Sequence, residues 1–205
     1  MRLLLVVAAL LFAAPAYAQV DSVAAGIYLP VGLVVATPRT GCAYEYPFTL
    51  GGSVGTSFQL LTYPQCDEGP CAGMPEFGAN SMNCLTQDGY ACNLAVGQCV
   101  NTGPGSLVGA FKTALNDRFN LDTDQRENLC YEAYVGNGRR VLRVPLINAP
   151  SNGVTTVCIN GFATAFLKRR IAAGGANSAM LLEFIGDATT TAHAATWGAL
   201  KLVYR

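Results

Sequence analysis

A β-hairpin signal in the second half of the sequence constrains the fold of this chain more than any other feature. Residues 139–167 hold two runs rich in β-branched and aromatic side chains, and the Pro-Ser-Asn-Gly sequence of residues 150–153 separates them. Such a pattern predicts two antiparallel strands joined by a short turn. Alternation along the first strand places Leu142, Val144 and Leu146 on one face of the sheet.

The second strand of the hairpin is predicted to alternate in the same way. One face holds Val154, Thr156, Cys158, Phe162 and Phe166, and the other holds Val157, Ile159, Ala163 and Leu167. Gly161 is a natural position for a β-bulge or for the close approach of another backbone.

Short motifs in and around the hairpin carry a family resemblance. They are Gly136-Asn137-Gly138-Arg139-Arg140-Val141, Arg143-Val144-Pro145-Leu146, Gly161-Phe162-Ala163 and Phe166-Leu167, with Gly103-Pro104-Gly105, the helix-like residues 108–119 and Asp122-Thr123-Asp124 upstream and, more faintly, Glu183-Phe184-Ile185-Gly186 downstream. These motifs resemble the C-terminal region of TadG-like proteins, which are secreted or membrane-tethered accessories of the Tad (Flp) pilus machinery.

The resemblance covers roughly the second half of the chain, residues 106–205. That family usually carries an N-terminal membrane helix and often a von Willebrand-type domain, neither of which we expect in this chain. The resemblance therefore implies a terminal β-rich module that is exported by itself. Such a module is a structural part rather than an enzyme, and its implied partners are envelope or pilus proteins.

Residues 1–18 are predicted to be a secretory signal peptide. Arg2 supplies the positive charge, an apolar stretch follows, and Ala16-Tyr17-Ala18 forms the small-residue cleavage site before Gln19. The apolar stretch is shorter than the ~20 residues that a membrane span needs. We therefore expect residues 19–205 to be a single exported domain without a transmembrane span, in the periplasm, outside the cell or on the surface of a bacterium.

Eight cysteines follow the predicted signal peptide: Cys42, Cys66, Cys71, Cys84, Cys92, Cys99, Cys130 and Cys158. An even number in an exported chain predicts structural disulfides. A zinc site is the alternative, but the spacings match no paired Cys-x-x-Cys pattern and His193 is the only histidine. A redox-active pair would need close cysteines at the start of a helix, a setting that Cys66 and Cys71 lack.

The predicted pairing joins Cys130 to Cys158. Residues 131–134 would form a strand beside the second hairpin strand, which would bring the two Cα atoms within the ~4.4–6.8 Å that a bridge requires. The other six cysteines would then pair within residues 42–99, so that each half of the chain has its own bridges. The alternative is a bridge from Cys130 or Cys158 into residues 64–105, which would tie the two halves together.

The two halves of the chain differ in charge. Residues 19–100 hold six acids and one base, a net charge of −5, whereas residues 101–205 hold seven acids and eleven bases, a net charge of +4. Such an asymmetry is typical of two lobes that attract each other or of faces offered to different neighbours. The basic clusters at 139–140 and 168–170 lack an accompanying RNA-binding aromatic signature. We therefore interpret them as solvated strand ends and expect no nucleic-acid partner.

Periodicity and composition predict the other elements. Strand candidates lie at residues 25–36, 57–63, 180–185 and 196–204. Residues 64–105 hold five of the eight cysteines among Gly, Pro, Asn and Asp, which predicts a loop-rich insertion held by bridges rather than by a core.

One helix is predicted after this insertion. Its apolar residues recur every four positions behind a candidate cap at Ser106, at Leu107, Phe111, Leu115 and Phe119. We expect this stripe to pack on the sheet. The predicted fold is therefore mainly β, a small antiparallel sandwich or barrel-like sheet with one packed helix and a disulfide-rich loop insertion.

A serine-hydrolase pattern is present but lacks its structural context. Gly51-Gly52-Ser53-Val54-Gly55 matches the nucleophile elbow, and Asp187 and His193 follow in the order of that enzyme class. The elbow requires a helix after the serine, whereas residues 57–63 have the composition of a strand. A Gly-rich hairpin turn is the simpler interpretation.

The spacing of Asn120, Asp122 and Asp124 is that of a calcium loop. Gln125 stands where such a loop needs Gly, and Tyr131 where it needs a bidentate Glu, so we predict a capped, solvated turn. The sequence thus predicts no catalytic residue, metal or cofactor. The predicted function is that of an exported structural module that binds an envelope or pilus protein. A small secreted hydrolase using Ser53 and an extracellular carbohydrate- or peptide-binding β-domain are the alternatives.

Overall fold

Seven strands and two α-helices make up most of the regular structure in this computed structural model, which describes residues 28–35, 38–50, 57–149, 155–172 and 179–186. In chain order the elements are β1 (Val31–Val34), β2 (Glu45–Leu50), β3 (Ser57–Thr62), α1 (Ala79–Gln87), β4 (Cys99–Thr102), α2 (Val108–Asn120), β5 (Val141–Ile147), β6 (Thr156–Leu167) and β7 (Met180–Phe184). Short 3₁₀ helices cover Gly105–Leu107 and Tyr131–Ala133. The predicted signal peptide and the strand predicted at 196–204 lie outside the described residues.

The strand pairings close into a circuit. β1 pairs with β5, β5 with β6, β6 with β4, β4 with β3, and β3 again with β1. β2 and β7 pair with each other and form a second connection between β3 and β6. The sheet is therefore barrel-like, which confirms the predicted mainly β fold. It is mixed rather than purely antiparallel, because β1–β5 and β2–β3 are parallel pairs.

Two hydrophobic clusters lie on opposite faces of the strands, because consecutive buried residues of a strand point in opposite directions. Leu33 and Leu60 belong to the first cluster, whereas their neighbours Val34 and Leu61 belong to the second. The first cluster also contains the predicted apolar face of β5, formed by Leu142, Val144 and Leu146.

The predicted hairpin is present as β5 and β6, and a β-bulge divides its longer strand. The register shifts by one residue, since Gly161 and Ile159 face consecutive residues of β5 and Asn160 has no partner there. One extra residue reverses the alternation of side chains. Val157 and Ile159 before the bulge therefore pack in the second cluster, whereas Ala163 and Leu167 after it pack in the first. The prediction is wrong that a single face holds Val157, Ile159, Ala163 and Leu167.

The helix α2 packs where its apolar stripe predicts. Phe111, Leu115 and Phe119 are fully buried in the first cluster, together with Leu107 in the turn before the helix. Ser106 lies inside the 3₁₀ helix that precedes α2, and no side chain caps the helix. The predicted Ser106 cap is therefore absent. Neither described helix is long and apolar enough to cross a membrane.

The cysteine-rich insertion is more ordered than its composition predicts. It contains α1 and β4, and α1 contributes Met82 to the first cluster and Leu85 to the second. The second cluster also includes Tyr63, Tyr90 and Leu94, so the insertion has a hydrophobic core as well as bridges. The prediction of a disulfide-rich insertion is confirmed, but the expectation that it lacks a core is wrong. An apolar pattern of only two or three residues is too short to stand out as a helix in the sequence.

Candidate functional site

All eight cysteines form disulfides, but the predicted Cys130–Cys158 pair is wrong. The pairs are Cys42–Cys130, Cys66–Cys92, Cys71–Cys84 and Cys99–Cys158, and none of the eight cysteines is free. The Cα atoms of the Cys42–Cys130 pair are 5.2 Å apart. Two bridges therefore join the acidic half of the chain to the basic half. Cys99–Cys158 is a bridge into residues 64–105, as in the alternative that the sequence left open, whereas Cys42–Cys130 was not expected.

The physical reason for this pairing lies in the strand neighbours. Cys158 on β6 stands directly opposite Cys99 on β4, because these strands pair in antiparallel register. The strand predicted at residues 131–134 is instead a 3₁₀ helix over Tyr131–Ala133, so it cannot bring Cys130 beside β6. Cys130 contacts the turn before β2, where Cys42 lies.

Peptide mapping without reduction is expected to recover these four pairs, because each is close enough in the fold to bridge. Intact mass after denaturation and alkylation should show a chain beginning at Gln19 with no alkylated cysteine. Reduction before alkylation is the control and should label all eight. A Cys130–Cys158 peptide, or any alkylated cysteine without reduction, would contradict the pairing.

We call residues 121–140 the strap, because this segment crosses from the end of α2 to the start of β5 and is tied down by Cys130. Its last residue, Arg140, is fully buried. The guanidinium donates hydrogen bonds of 2.8–2.9 Å to four backbone carbonyls, those of Asp124, Arg126, Leu167 and Lys168. Burial lowers the pKa of Arg140, and the nearby Asp122 carboxylate opposes this effect.

Two aromatic rings stack against the same guanidinium. Its central carbon lies 4.3 Å from the centre of the Phe119 ring and 4.4 Å from that of Phe166. A planar guanidinium with several fixed N–H donors satisfies ring stacking and carbonyl hydrogen bonding at once, which an ammonium cannot do. Arg140 thus joins α2, the strap and β6.

Asp122 is the second buried charged group of the strap, with 3% of its surface exposed. Its carboxylate accepts hydrogen bonds from the Tyr134 hydroxyl and from the backbone N–H groups of Asp124 (2.8 Å) and Arg140 (3.3 Å). The Tyr134 oxygen in turn accepts the N–H of Gly138 at 2.7 Å. We call Asp122, Asp124, Tyr134 and Arg140, with Phe119 and Phe166, the Arg140 cluster.

The Gly-Asn-Gly sequence before Arg139 fits closely around this cluster. A Cβ atom on Gly136 would lie 1.9 Å from Oδ1 of Asp122, so a larger residue cannot occupy that position without displacing the carboxylate. Asn137 donates from its amide to the carbonyl of Leu121 at 3.0 Å. Gly138 has a φ of +87°, a conformation that glycine adopts without strain.

Asp124 is held by donors from within the strap. It accepts two hydrogen bonds from the Arg126 guanidinium, at 2.8 and 2.7 Å, and one from the backbone N–H of Val135 at 3.1 Å. These contacts, with that of Arg126 dominant, hold the pKa of Asp124 well below its usual value of 3.8, although burial acts in the opposite direction. Asp124 is therefore ionised throughout the physiological pH range.

Asp124→Asn is expected to remove stability that depends on pH. A carboxylate with a lowered pKa contributes fully above its unfolded-state pKa, and this contribution is lost as the pH falls toward the folded-state value. The difference in unfolding free energy between wild type and variant should be roughly 1–3 kcal/mol at neutral pH. It should shrink below about pH 4. Urea titrations at pH 7, 5 and 3 measure it, with the exposed Asp67→Asn as control. An equal difference at pH 7 and pH 3 would show that the charge of Asp124 is not involved.

These contacts correct two predictions from the sequence. Asp122 and Asp124 are only 3% and 5% exposed, so the turn after α2 is buried rather than solvated. The oxygens proposed for a calcium loop already accept protein donors, including Nε of Arg170 on Oδ1 of Asn120 at 2.7 Å. The basic clusters are likewise solvated only in part, because Arg140 and Lys168 are buried whereas Arg169 is exposed.

A second group of charges lies near the middle of the strap, beside the Cys42–Cys130 bridge. Lys168 is 1% exposed and forms an ion pair with Glu45, and its Nζ lies 3.6 Å from Sγ of Cys42. Glu183, also 1% exposed, accepts the backbone N–H of Tyr131 at 3.0 Å. No pattern in the sequence points to this group, because its members come from four separate segments.

The described residues offer little that resembles a catalytic or metal centre. A cavity of about 10 Å³ between Tyr63, Leu85 and Tyr90 has room for about one water molecule. Two clusters of possible ligands each combine a disulfide with one carboxylate, Glu183 or Asp88. Sulfur atoms in a disulfide lack the negative charge with which a thiolate binds metal.

The hydrolase pattern cannot be placed in the structure, since Ser53, Asp187 and His193 all lie outside the described residues.

Comparisons with family models, with curated proteins and with solved structures find no match to this chain.

Proposed function

We propose that this chain is an exported structural module that binds a protein partner at the bacterial cell envelope, in association with a Tad-type pilus. Four disulfides support export, because such bridges form and persist in oxidising compartments outside the cytoplasm. The link to the pilus rests on the resemblance to TadG-like proteins.

One observation carries the structural role. The motifs behind the resemblance, Asp122-Thr123-Asp124 and the Gly-Asn-Gly-Arg-Arg sequence, meet in the Arg140 cluster, where their polar atoms bond to one another and to the backbone. A catalytic motif would instead place polar groups in a cleft where a substrate can reach them. The polar groups of these two motifs are used in internal contacts. This favours a module that binds its partner through its surface rather than in a pocket.

Cross-linking in a bacterium that carries both this chain and a Tad pilus tests the proposal. The tagged chain is expected to cross-link to pilus subunits or assembly proteins, and deletion of its gene should reduce the number of pili until the wild-type gene is restored. A tagged exported protein of similar size is the control. Cross-links no different from those of the control, together with normal piliation after deletion, would contradict the proposal.

The two alternative functions have their own tests. A serine-directed phosphonate probe is expected not to label the chain, and Ser53→Ala should leave any activity of the native protein unchanged. Labelling that disappears in Ser53→Ala would instead establish the hydrolase. Saturable binding to defined oligosaccharides on a glycan array would favour a carbohydrate-binding domain.

A further inference from the structure

We propose that the Cys42–Cys130 disulfide is a thiol-exchange site, at which an external dithiol attacks Cys130 and Cys42 departs as a thiolate held by Lys168. The proposal rests on the position of the buried Lys168 ammonium, whose Nζ lies 3.6 Å from Sγ of Cys42. Among the described residues, this is the one hydrogen bond from a cationic side chain to a cysteine sulfur. A neighbouring lysine favours the thiolate form of cysteine, and a thiolate of lower basicity departs faster.

Exposure separates this bridge from two of the other three. Cys42 and Cys130 are both partly exposed, so a small thiol can reach them. In each bridge within the insertion, one of the two cysteines is only 6% exposed, Cys66 or Cys71, although the partner is partly exposed. The remaining bridge has an exposed residue at Cys99, so a thiol would attack there and expel Cys158. Among the described residues, no cationic side chain donates a hydrogen bond to the Cys158 sulfur, as Lys168 does to that of Cys42.

The exchange balances as a two-electron reduction. A thiolate of the dithiol forms a bond to Sγ of Cys130, the bond between the two cysteine sulfurs breaks, and its electron pair goes to Sγ of Cys42. The second thiolate of the reductant then attacks the mixed disulfide and releases Cys130 as a thiolate, which takes a proton from water. The reductant leaves as its own disulfide, and the covalent tie between the strap and the turn before β2 is opened.

Two carboxylates also face this bridge and must be weighed. Glu45 pairs with Lys168 and competes for its charge. A carboxylate oxygen of Glu183 lies within 4.8 Å of both sulfurs and opposes formation of either thiolate. Since Lys168 contacts Cys42, the two charged groups should act in opposite directions on the rate of exchange. Removal of the Lys168 charge should therefore slow the exchange, and removal of the Glu183 charge should accelerate it.

The experiment follows the four bridges during partial reduction. The folded chain is treated with a limiting amount of dithiothreitol, samples are quenched with iodoacetamide, and peptide mapping measures the alkylation of each cysteine with time. Cys42 and Cys130 are expected to be alkylated before the other six. Reduction of the Cys99–Cys158 bridge before this one in the wild type would overturn the proposal.

Charge variants then separate exchange chemistry from loosening of the fold. Lys168→Met should slow reduction of this bridge roughly three- to tenfold relative to the Cys71–Cys84 bridge in the same sample. Lys168→Arg should keep most of the rate, Glu183→Gln should raise it, and the exposed Arg169→Met should leave it unchanged. A general loosening would accelerate all bridges together, so a ratio that stays constant or rises in Lys168→Met counts against the proposal.

Discussion

Replacement of Arg140 by methionine is expected to lower the free energy of unfolding by about 4 kcal/mol. The substitution removes all side-chain donors to four backbone carbonyls. Each carbonyl that is left buried without a donor costs roughly 1–3 kcal/mol, and relaxation with entry of water recovers only a part. Because a domain is stable by only about 5–15 kcal/mol, this single change should bring the chain close to unfolding.

Urea titration followed by far-ultraviolet circular dichroism measures the loss. Arg169→Met is the matched control, because Arg169 is an exposed arginine of the other basic cluster, at residues 168–170. It should change stability by no more than about 0.5 kcal/mol. Arg140→Lys keeps the charge but loses the planar fork, so it should still lose at least half of the stability that the methionine variant loses. A loss of about 1 kcal/mol is typical of a single substitution. If the methionine variant loses no more than this in unfolding free energy, Arg140 does not hold the strap.

Removal of the Cys42–Cys130 bridge by a double serine substitution is the second large effect. The two cysteines are 88 residues apart, the longest separation among the four bridges. A bridge that closes a longer loop removes more entropy from the unfolded chain, so the expected loss is about 4 kcal/mol, even though the bridges nested inside shorten the free loop. The strap also loses its covalent tie to the turn before β2.

The Cys71–Cys84 bridge provides the matched control. Its cysteines are 13 residues apart, and its double serine variant is expected to lose about 3 kcal/mol on the same reasoning. Both variants keep three bridges, so thermal and urea unfolding can be compared directly. If the control variant proves the less stable of the two, the entropy of the unfolded chain does not determine which bridge stabilises the fold more. Strain or packing at the bridge would then explain the difference.

Local pattern was enough to predict much of the architecture. Three elements lie where the sequence pattern predicts them. They are β5 with its alternating apolar residues, α2 with its four-residue apolar repeat, and β7 (Met180–Phe184). These signals work because a strand or helix repeats its buried face at a fixed period, and both period and side-chain type can be read within a few residues. The formation of disulfides by all eight cysteines is likewise predicted by their even number.

The sequence alone could not determine how distant segments meet. The pairing of Cys130 depends on a 3₁₀ helix in place of the predicted strand, and the two faces of β6 depend on a bulge at a single residue. Both are small local choices with consequences far along the chain. A one-residue shift in a strand moves every later side chain to the opposite face, so an error at one position spreads to the whole packing pattern.

The buried charges show the same limit most clearly. Arg140 and Lys168 lie in basic clusters that the sequence suggests are solvated strand ends, and only the tertiary structure shows that both residues are buried. The four carbonyls that satisfy Arg140 lie 14 to 28 residues away in sequence. Whether an arginine is buried depends on whether enough acceptors converge on it, because a buried cation without partners costs several kcal/mol. The sequence determined the β5–β6 hairpin, α2 and β7; the tertiary structure decided which charged side chains these elements enclose.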